Sequence, residues 1–444
     1  MQISVETTSG LERCLSVVVP AADIDNSVDA KLKETASKVR IDGFRPGKVP
    51  VREVKRRFGK SIRDEVIGEV VSQKFYEAIS QEKLNPAGMP HIERVNDKAG
   101  EDFSFTATFE IYPEVEVIGL DKVSVTRQTA EISDDDVQVM IEKLREQRAA
   151  FEIVEKEAAT GDQLVIDFDG KLDGESFEGG AATDSELVLG SGSMIPGFED
   201  GLVGAKAGDE RVLDLEFPAD YHSEDLKGKA TQFTVTVKSV SEKKLPEVDD
   251  EFIAQFNPKE NTIESFTVEI KANMERELKN AVKNKVKQQV MDGLLAENEF
   301  DVPKTMVDSE IDRQRQQMVQ QFGGGAQFDA STLPAELFEA QATRSAKLGV
   351  LLGELIKQKD ISVDADMVRS TIEEMAQPYE NPEQVVTWYY ENDEQLKQVE
   401  SLVLEDQAIN SVLAEASITD EAVSYEDAVR PPAQEAAEEE SEEA

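Results

Sequence analysis

The chain has 444 residues, 39% of them apolar and 32% charged. That is enough apolar chain for real cores and too much charge for one compact ball, and the length suits about three domains. A net charge of −44 repels nucleic acid from most of the surface, the single cysteine, Cys14, has no partner for an internal disulfide, and no apolar run is long enough to span a bilayer. Because no basic stretch leads into an apolar run at the start, the expectation is a soluble cytoplasmic protein in a reducing compartment, with no membrane partner.

Residues 1–112 read as a mixed α/β unit. Cys14-Leu15-Ser16-Val17-Val18-Val19-Pro20 is β-like, with Cys14 as a buried structural thiol. Asn26 or Ser27 is a candidate cap for a helix over about 28–39. Further helices are expected over 51–58 and 61–84, the last ended by Asn85-Pro86-Ala87-Gly88-Met89-Pro90. Phe103-Ser104-Phe105-Thr106-Ala107-Thr108-Phe109 alternates as a half-buried strand does.

Within this unit lies a concentrated basic arm. Between Lys31 and Arg63 stand twelve Lys or Arg against three acids, a local +9 on an acidic body, which points to a polyanionic partner. At its centre is Gly43-Phe44-Arg45-Pro46-Gly47-Lys48-Val49-Pro50. Pro46 and Gly47 occupy the second and third positions of a type II turn, where fixed φ and positive φ are needed, and Pro50 stops a helix from running back through the tip. Phe44, Arg45 and Lys48 would project from a stiff loop, which on composition alone serves equally as a basic helix connector.

Residues 113–150 form a connector: extended chain around Val115, Val117, Val123 and Val125, then a helix from Ser133 to about 149. Ser133 caps it, and Asp134, Asp135 and Asp136 complement its dipole. Residues 151–245 turn rich in Gly and short strands, as in a small antiparallel β domain, and 161–240 carries 17 acids against 6 bases, so it is not the nucleic-acid binder.

Residues 246–430 are helical by pattern. Phe266, Ile270, Met274, Leu278, Val282, Val286, Val290 and Leu294 recur every four residues. Each step overshoots a full turn by about 40°, so the apolar stripe winds and the two ends of one long helix must pack on different neighbours. Met291, Met306, Met318, Met367 and Met375 read as ordinary core. With 6% aromatic residues, any large apolar binding surface is expected to rely on Leu, Val, Ile and Met. Residues 431–444, with six Glu and no base, read as a disordered acidic tail.

No ligand-spaced His or Cys cluster surrounds His91 or His222, and no Gly-rich phosphate loop precedes a Lys-Ser/Thr pair, so neither metal nor nucleotide cofactor is expected. The middle domain carries more specific signals. Val165-Ile166-Asp167-Phe168-Asp169-Gly170 is followed by Phe177-Glu178, then by an unbroken motif over 190–202 containing Met194-Ile195-Pro196-Gly197-Phe198-Glu199-Asp200-Gly201. Phe217-Pro218-Ala219-Asp220-Tyr221 and Phe233-Thr234-Val235-Thr236-Val237 come later. This order resembles the FKBP family of peptidyl-prolyl isomerases over about 80 residues. The resemblance implies a curved antiparallel sheet over a short helix opened by Ile195-Pro196-Gly197-Phe198. It also implies an apolar pocket lined by Phe168, Phe177, Ile195, Phe198, Tyr221 and Phe233, with Glu178 at its edge where the family has Asp. Ile195 would offer a backbone N–H and Tyr221 a hydroxyl to the substrate. No cofactor is implied.

Taken together, the basic N-terminal loop, the isomerase-like insertion and the helical C-terminal part resemble the trigger factor family of ribosome-docking chaperones. The implied fold class is multidomain α+β: an N-terminal α/β ribosome-binding domain over 1–112, a linker over 113–150, the FKBP-like domain over 151–245 and an all-helical chaperone domain over 246–430. Gly43, Phe44, Arg45, Gly47, Lys48 and Pro50 would bind the large ribosomal subunit near the exit tunnel, at ribosomal protein L23 and its rRNA. The C-terminal helices would hold nascent and unfolded polypeptides, and the resemblance allows a homodimer off the ribosome. Two rivals remain at this level: an isomerase whose flanking regions only localise it, and a nucleic-acid-binding regulator using the basic arm.

Overall fold

The computed structural model describes residues 2–431 except 42, 43, 45–47, 99, 173, 220, 222, 224, 225, 257, 259, 322–328, 378 and 380. Gly43, Arg45, Pro46, Gly47, His222, the 323–325 glycines and the tail from 432 onward therefore lie outside the described residues. In chain order the first elements are β1 (Gln2–Ser9), β2 (Glu12–Val19), α1 (Ala21–Lys38), α2 (Val51–Gln81), β3 (His91–Asn96), β4 (Phe103–Glu110) and β5 (Ser124–Thr129). Next come α3 (Asp134–Gln147), β6 (Ala150–Val154), β7 (Gln163–Leu172), β8 (Glu175–Val188), β9 (Glu210–Glu216) and β10 (Ala230–Lys244). The remainder is α4 (Asp250–Ala254), α5 (Ile263–Glu297), α6 (Lys304–Gln321), α7 (Glu336–Gln358), α8 (Ala365–Ala376), α9 (Pro382–Glu391), α10 (Asp393–Leu413), β11 (Ser417–Ala422) and α11 (Tyr425–Val429). No helix among the described residues is long and apolar enough to cross a membrane.

The chain divides into two compact units, each built from separate stretches: Met1–Arg127 with Asn284–Glu421, and Gln128–Lys283 with the segment beginning at Ala422. In the first unit an antiparallel sheet of order β1-β2-β4-β3 presents Leu15, Val17, Val19, Phe103, Phe105, Ala107 and Phe109 to α1 and α2. The period of two puts those residues on one face, and Cys14, out of phase with them, is only half-buried rather than a core thiol. Helix α1 starts at Ala21 behind Pro20, so Asn26 and Ser27 are interior positions, not caps. Helix α2 runs unbroken through Gly59, where two helices were expected. Its buried residues Val54, Ile62, Val66, Ile67, Val71 and Phe75 continue one stripe across that glycine, and their packing outweighs the roughly 1 kcal/mol that Gly costs inside a helix.

The C-terminal helices of this unit form two further cores. Ile311 of α6 meets Phe338 and Ala342 of α7. Val368 and Ile372 of α8 meet Val399 and Val403 of α10. The region is helical as expected and also carries the strand β11, which pairs with β5, Arg127 gripping both carboxylate oxygens of Asp420 at 2.7 and 2.9 Å. Met318 and Met375 are exposed rather than core residues.

In the second unit β6-β10-β7-β8 form an antiparallel sheet, with β9 on the same edge of β10 as β6. Ser133 and Asp136 close a reciprocal capping box at the start of α3, as the local sequence predicts. The winding stripe of α5 behaves as its period requires. Phe266, Ile270 and Met274 join Val137, Ile141, Phe252 and Tyr425 in one core, while Val290 and Leu294, later on the same helix, are fully buried among other residues.

Two amide side chains near the end of α5 hold the extended chain of the first unit. Asn298 accepts from the N–H of Ile118 at 3.0 Å and donates to its carbonyl at 3.1 Å, and also to the carbonyl of Leu294. Gln289 does the same for the N–H and carbonyl of Thr126, at 2.7 and 2.9 Å, in a more exposed setting. Asn298→Ala removes a buried side chain and strips partners from the part-buried backbone groups of Ile118 and the buried Leu294 carbonyl, and should destabilise the protein by about 1–3 kcal/mol, whereas Gln289→Ala, where water can replace the side chain, should cost well under half as much. Chemical denaturation of the two variants side by side checks the ranking.

Candidate functional site

The pocket of the second unit is assembled from one sheet face, one bulge and one loop. Phe168 follows Leu164 and Ile166 on the inward face of β7, and Phe233 stands on β10 directly opposite Gly170. That pairing needs glycine: a Cβ at Gly170 would lie 2.5 Å from the Phe233 ring. Between the pairs Asp169–Ala181 and Lys171–Ser176 the register breaks, so that 177–180 are extruded from β8. The bulge carries Phe177 to the pocket, and Gly180 leaves room behind its ring, where a Cβ would sit 2.7 Å away.

The remaining wall comes from the loop after β8. Gly197, at φ +85°, prevents a regular helix from opening at Ile195; the chain turns through 196–199 and makes one tight helical turn at Asp200–Leu202. This places Phe198 as a floor that is 1% exposed, with Met194, Ile195 and Pro196 above it. A cavity of about 300 Å³ results, lined by Phe168, Phe177, Ile195, Phe198, Tyr221 and Phe233 together with Phe217, Met194, Ser193, Pro196, Pro218 and Gly179. The aromatic rings meet mostly edge to face: Phe198 and Phe233 at 5.4 Å and 79°, Phe168 and Phe198 at 5.9 Å and 80°, Phe177 and Phe217 at 5.9 Å and 78°. Such contacts stiffen the wall by about 0.5–1.5 kcal/mol each beyond the area they bury.

All six pocket residues expected from sequence therefore share one cavity. The side chain of Glu178 lies outside the described residues. Sequence reasoning passed over Phe217, whose ring lies 4.7 Å from that of Tyr221 and which is nearly buried; its place in Phe217-Pro218-Ala219-Asp220-Tyr221, four residues before a wall residue, was the available signal. The lining holds no charged group among the described residues, so the cavity presents a largely apolar surface.

Glu199, next to the floor, is nearly buried and gathers the loop about itself. Its carboxylate accepts from the N–H groups of Gly190 (2.7 Å), Ser193 (3.0 Å), Gly192 (3.2 Å) and Met194 (3.3 Å), and from the Ser191 and Ser193 hydroxyls. Burial pushes its pKa up, but the amides of Gly192, Gly190 and Met194 and the Ser191 hydroxyl outweigh burial and leave it below the usual carboxylate range. A depressed folded-state value means the carboxylate contributes stability at neutral pH that disappears as pH falls through that value.

The second candidate site is the basic loop of the first unit. Ile41 and Val49 are buried in the α1/α2 core and anchor the loop at both ends. Phe44, 37% exposed, and Lys48 face solvent, and the Phe44 N–H donates to the Ile41 carbonyl at 3.1 Å. Pro50 stands at the N-cap of α2, as its missing N–H favours. Gly43, Arg45 and Gly47 lie outside the described residues. The first turns of α2 continue the basic surface with exposed Arg52, Lys55, Arg56, Arg57 and Lys60. The exposed apolar side chains of the C-terminal helices include Trp388 and Tyr390 as well as Leu337 and Met375, and Tyr379 is exposed between α8 and α9, so aromatic residues contribute there despite their scarcity.

The families described as bacterial trigger factor protein, FKBP-type peptidyl-prolyl cis-trans isomerase and bacterial trigger factor protein C-terminus match residues 1–144, 154–238 and 262–414. Trigger factor of Pseudomonas fluorescens is 57% identical over 431 residues, 97% of this chain and 98% of that protein. Trigger factor of Alcanivorax borkumensis is 52% identical, covering 97% and 99%. A solved trigger factor chaperone structure aligns with 94% of this chain and 100% of its own at 19% identity and a TM-score of 0.48.

Gly170→Ala should drive the new methyl into the Phe233 ring and destabilise the second unit by about 1–3 kcal/mol. Differential scanning calorimetry should show the corresponding unfolding transition moving down while the other transition stays in place.

Proposed function

The chain belongs to the trigger factor family, and on that premise we propose how its residues divide the work. It is a ribosome-associated chaperone with an FKBP-type peptidyl-prolyl isomerase domain. The domains run over 1–112, 151–245 and 246–430, with 113–150 as linker. Phe168, Phe177, Ile195, Phe198, Tyr221 and Phe233, with Glu178 at the edge, form the isomerase site, and the observation that carries this is the aromatic cavity they share.

Rotation about an X–Pro bond meets a barrier of about 20 kcal/mol because the amide loses its resonance as it twists. A planar amide is strongly polarised and well solvated; the twisted amide is less so. Moving it from water into an apolar cavity therefore raises the ground state more than the transition state, and no nucleophile or cofactor is required. The Ile195 N–H holds the substrate carbonyl and the Tyr221 hydroxyl offers a further polar contact. Phe177→Ala should lower kcat/KM toward a short proline peptide about tenfold, equivalent to roughly 1.4 kcal/mol. A protease-coupled isomerisation assay checks it, and an unchanged rate would remove Phe177 from the site.

Gly43, Phe44, Arg45, Gly47, Lys48 and Pro50 contact the large ribosomal subunit near the exit tunnel, at ribosomal protein L23 and adjacent rRNA. The exposed Phe44 and Lys48, the buried anchors on either side and the basic start of α2 support that reading. The C-terminal helices hold nascent and unfolded chains in the cytoplasm, open for folding or export, and the exposed apolar residues of α7, α8 and α9 favour holding over mere localisation. Off the ribosome, two copies associate. The triple variant Phe44→Ala, Arg45→Ala, Lys48→Ala should lose co-sedimentation with ribosomes and keep full isomerase activity. A wild-type chain that fails to suppress aggregation of a denatured protein lacking proline would leave only the isomerase reading.

A further inference from the structure

Asp162 and Glu199 are the buried carboxylates among the described residues, and they are held differently. Asp162 has a cation, Lys156, at 3.1 Å. Glu199 is surrounded instead by loop donors. One oxygen takes the N–H groups of Gly190 and Gly192; the other takes those of Ser193 and Met194 and both serine hydroxyls. The loop it gathers has positive φ at Gly190 and Gly192 and no ladder of its own, so little else defines its path. The amide that follows Met194 is that of Ile195, and the residue before Glu199 is the pocket floor Phe198. One side chain thus ties the rim of the cavity to its floor.

We propose that Glu199 is a positioning residue for prolyl isomerisation: by collecting the amides of 190–194 it fixes the backbone that presents the Ile195 N–H to the substrate carbonyl. This rests on the pocket being the isomerase site. The carboxylate is absent from the cavity lining and acts through the loop alone. Amides converging on a full negative charge are held more tightly than a neutral acceptor would hold them. When the charge is removed, the loop regains freedom while the aromatic walls, locked by their own packing, remain. Ground-state binding of the proline ring then survives, and the donor that must be aligned in the transition state does not.

Glu199→Gln preserves shape and removes the charge. In the full-length protein, kept well below its unfolding temperature, kcat toward a short proline peptide should fall roughly ten- to a hundredfold, with KM rising far less. Amide hydrogen exchange at 190–195 should quicken, while exchange in β7 and β10 stays as in the wild type. A purely structural Glu199 would lower the unfolding midpoint and leave kcat unchanged in the folded variant; that result, or unchanged exchange in the loop, overturns the proposal. Should Glu199→Gln fail to fold, Glu199→Asp decides. It keeps the charge but falls short of some donors, so an intermediate loss of kcat supports the proposal and none overturns it. A wild-type protein inactive on the peptide would instead overturn the isomerase reading itself.

Discussion

Irregular chain leaves backbone N–H and C=O groups that must find partners, and in this protein side chains remote in sequence supply them. Asn298 and Gln289 pair with both backbone groups of Ile118 and Thr126, as a neighbouring strand would. Glu110 accepts from the amides of Lys304 and Thr305, each at 3.0 Å, and so serves as the cap for α6 from nearly two hundred residues away. Glu199 performs the same service for the loop at 190–194. Apart from Thr126, which lies within β5, each of these positions is a place where regular structure stops and something must still be held still.

The aromatic cavity depends on that stillness. Its walls are phenylalanine rings, which carry no directional hydrogen bonds, so their orientation comes from packing and from the backbone beneath them. Gly170 and Gly180 make room for two rings, the β8 bulge brings Phe177 over, and Gly197 turns the chain so that Phe198 lies underneath. An apolar cavity with fixed walls suits a reaction whose barrier falls when polarisation of the amide is discouraged.

The basic loop uses the opposite physics. The exposed Lys48 charge is left in water, on a body that is otherwise acidic, and Ile41 and Val49 anchor the chain on either side. Attraction between such a patch and a polyanion is long-ranged and weakens with salt, while the exposed Phe44 adds a short-ranged apolar contact. The two regions thus call on separate kinds of interaction.

Much of this was legible in the sequence. The alternation at 103–109, the capping box at Ser133, the winding stripe of α5 and the order of the isomerase motifs each depend on residues near one another in the chain, and local physics sufficed. The continuity of α2 through Gly59, the exposure of Met318 and Met375 and the half-burial of Cys14 depended on what each segment packs against, which no local pattern contains. So did Phe217, Asn298 and Glu199. By itself the sequence determined the locally patterned elements, the charge asymmetry and the family. Tertiary structure decided which distant side chain meets which backbone group, because a polar side chain declares its chemistry in sequence but finds its partner only when the chain has closed on itself.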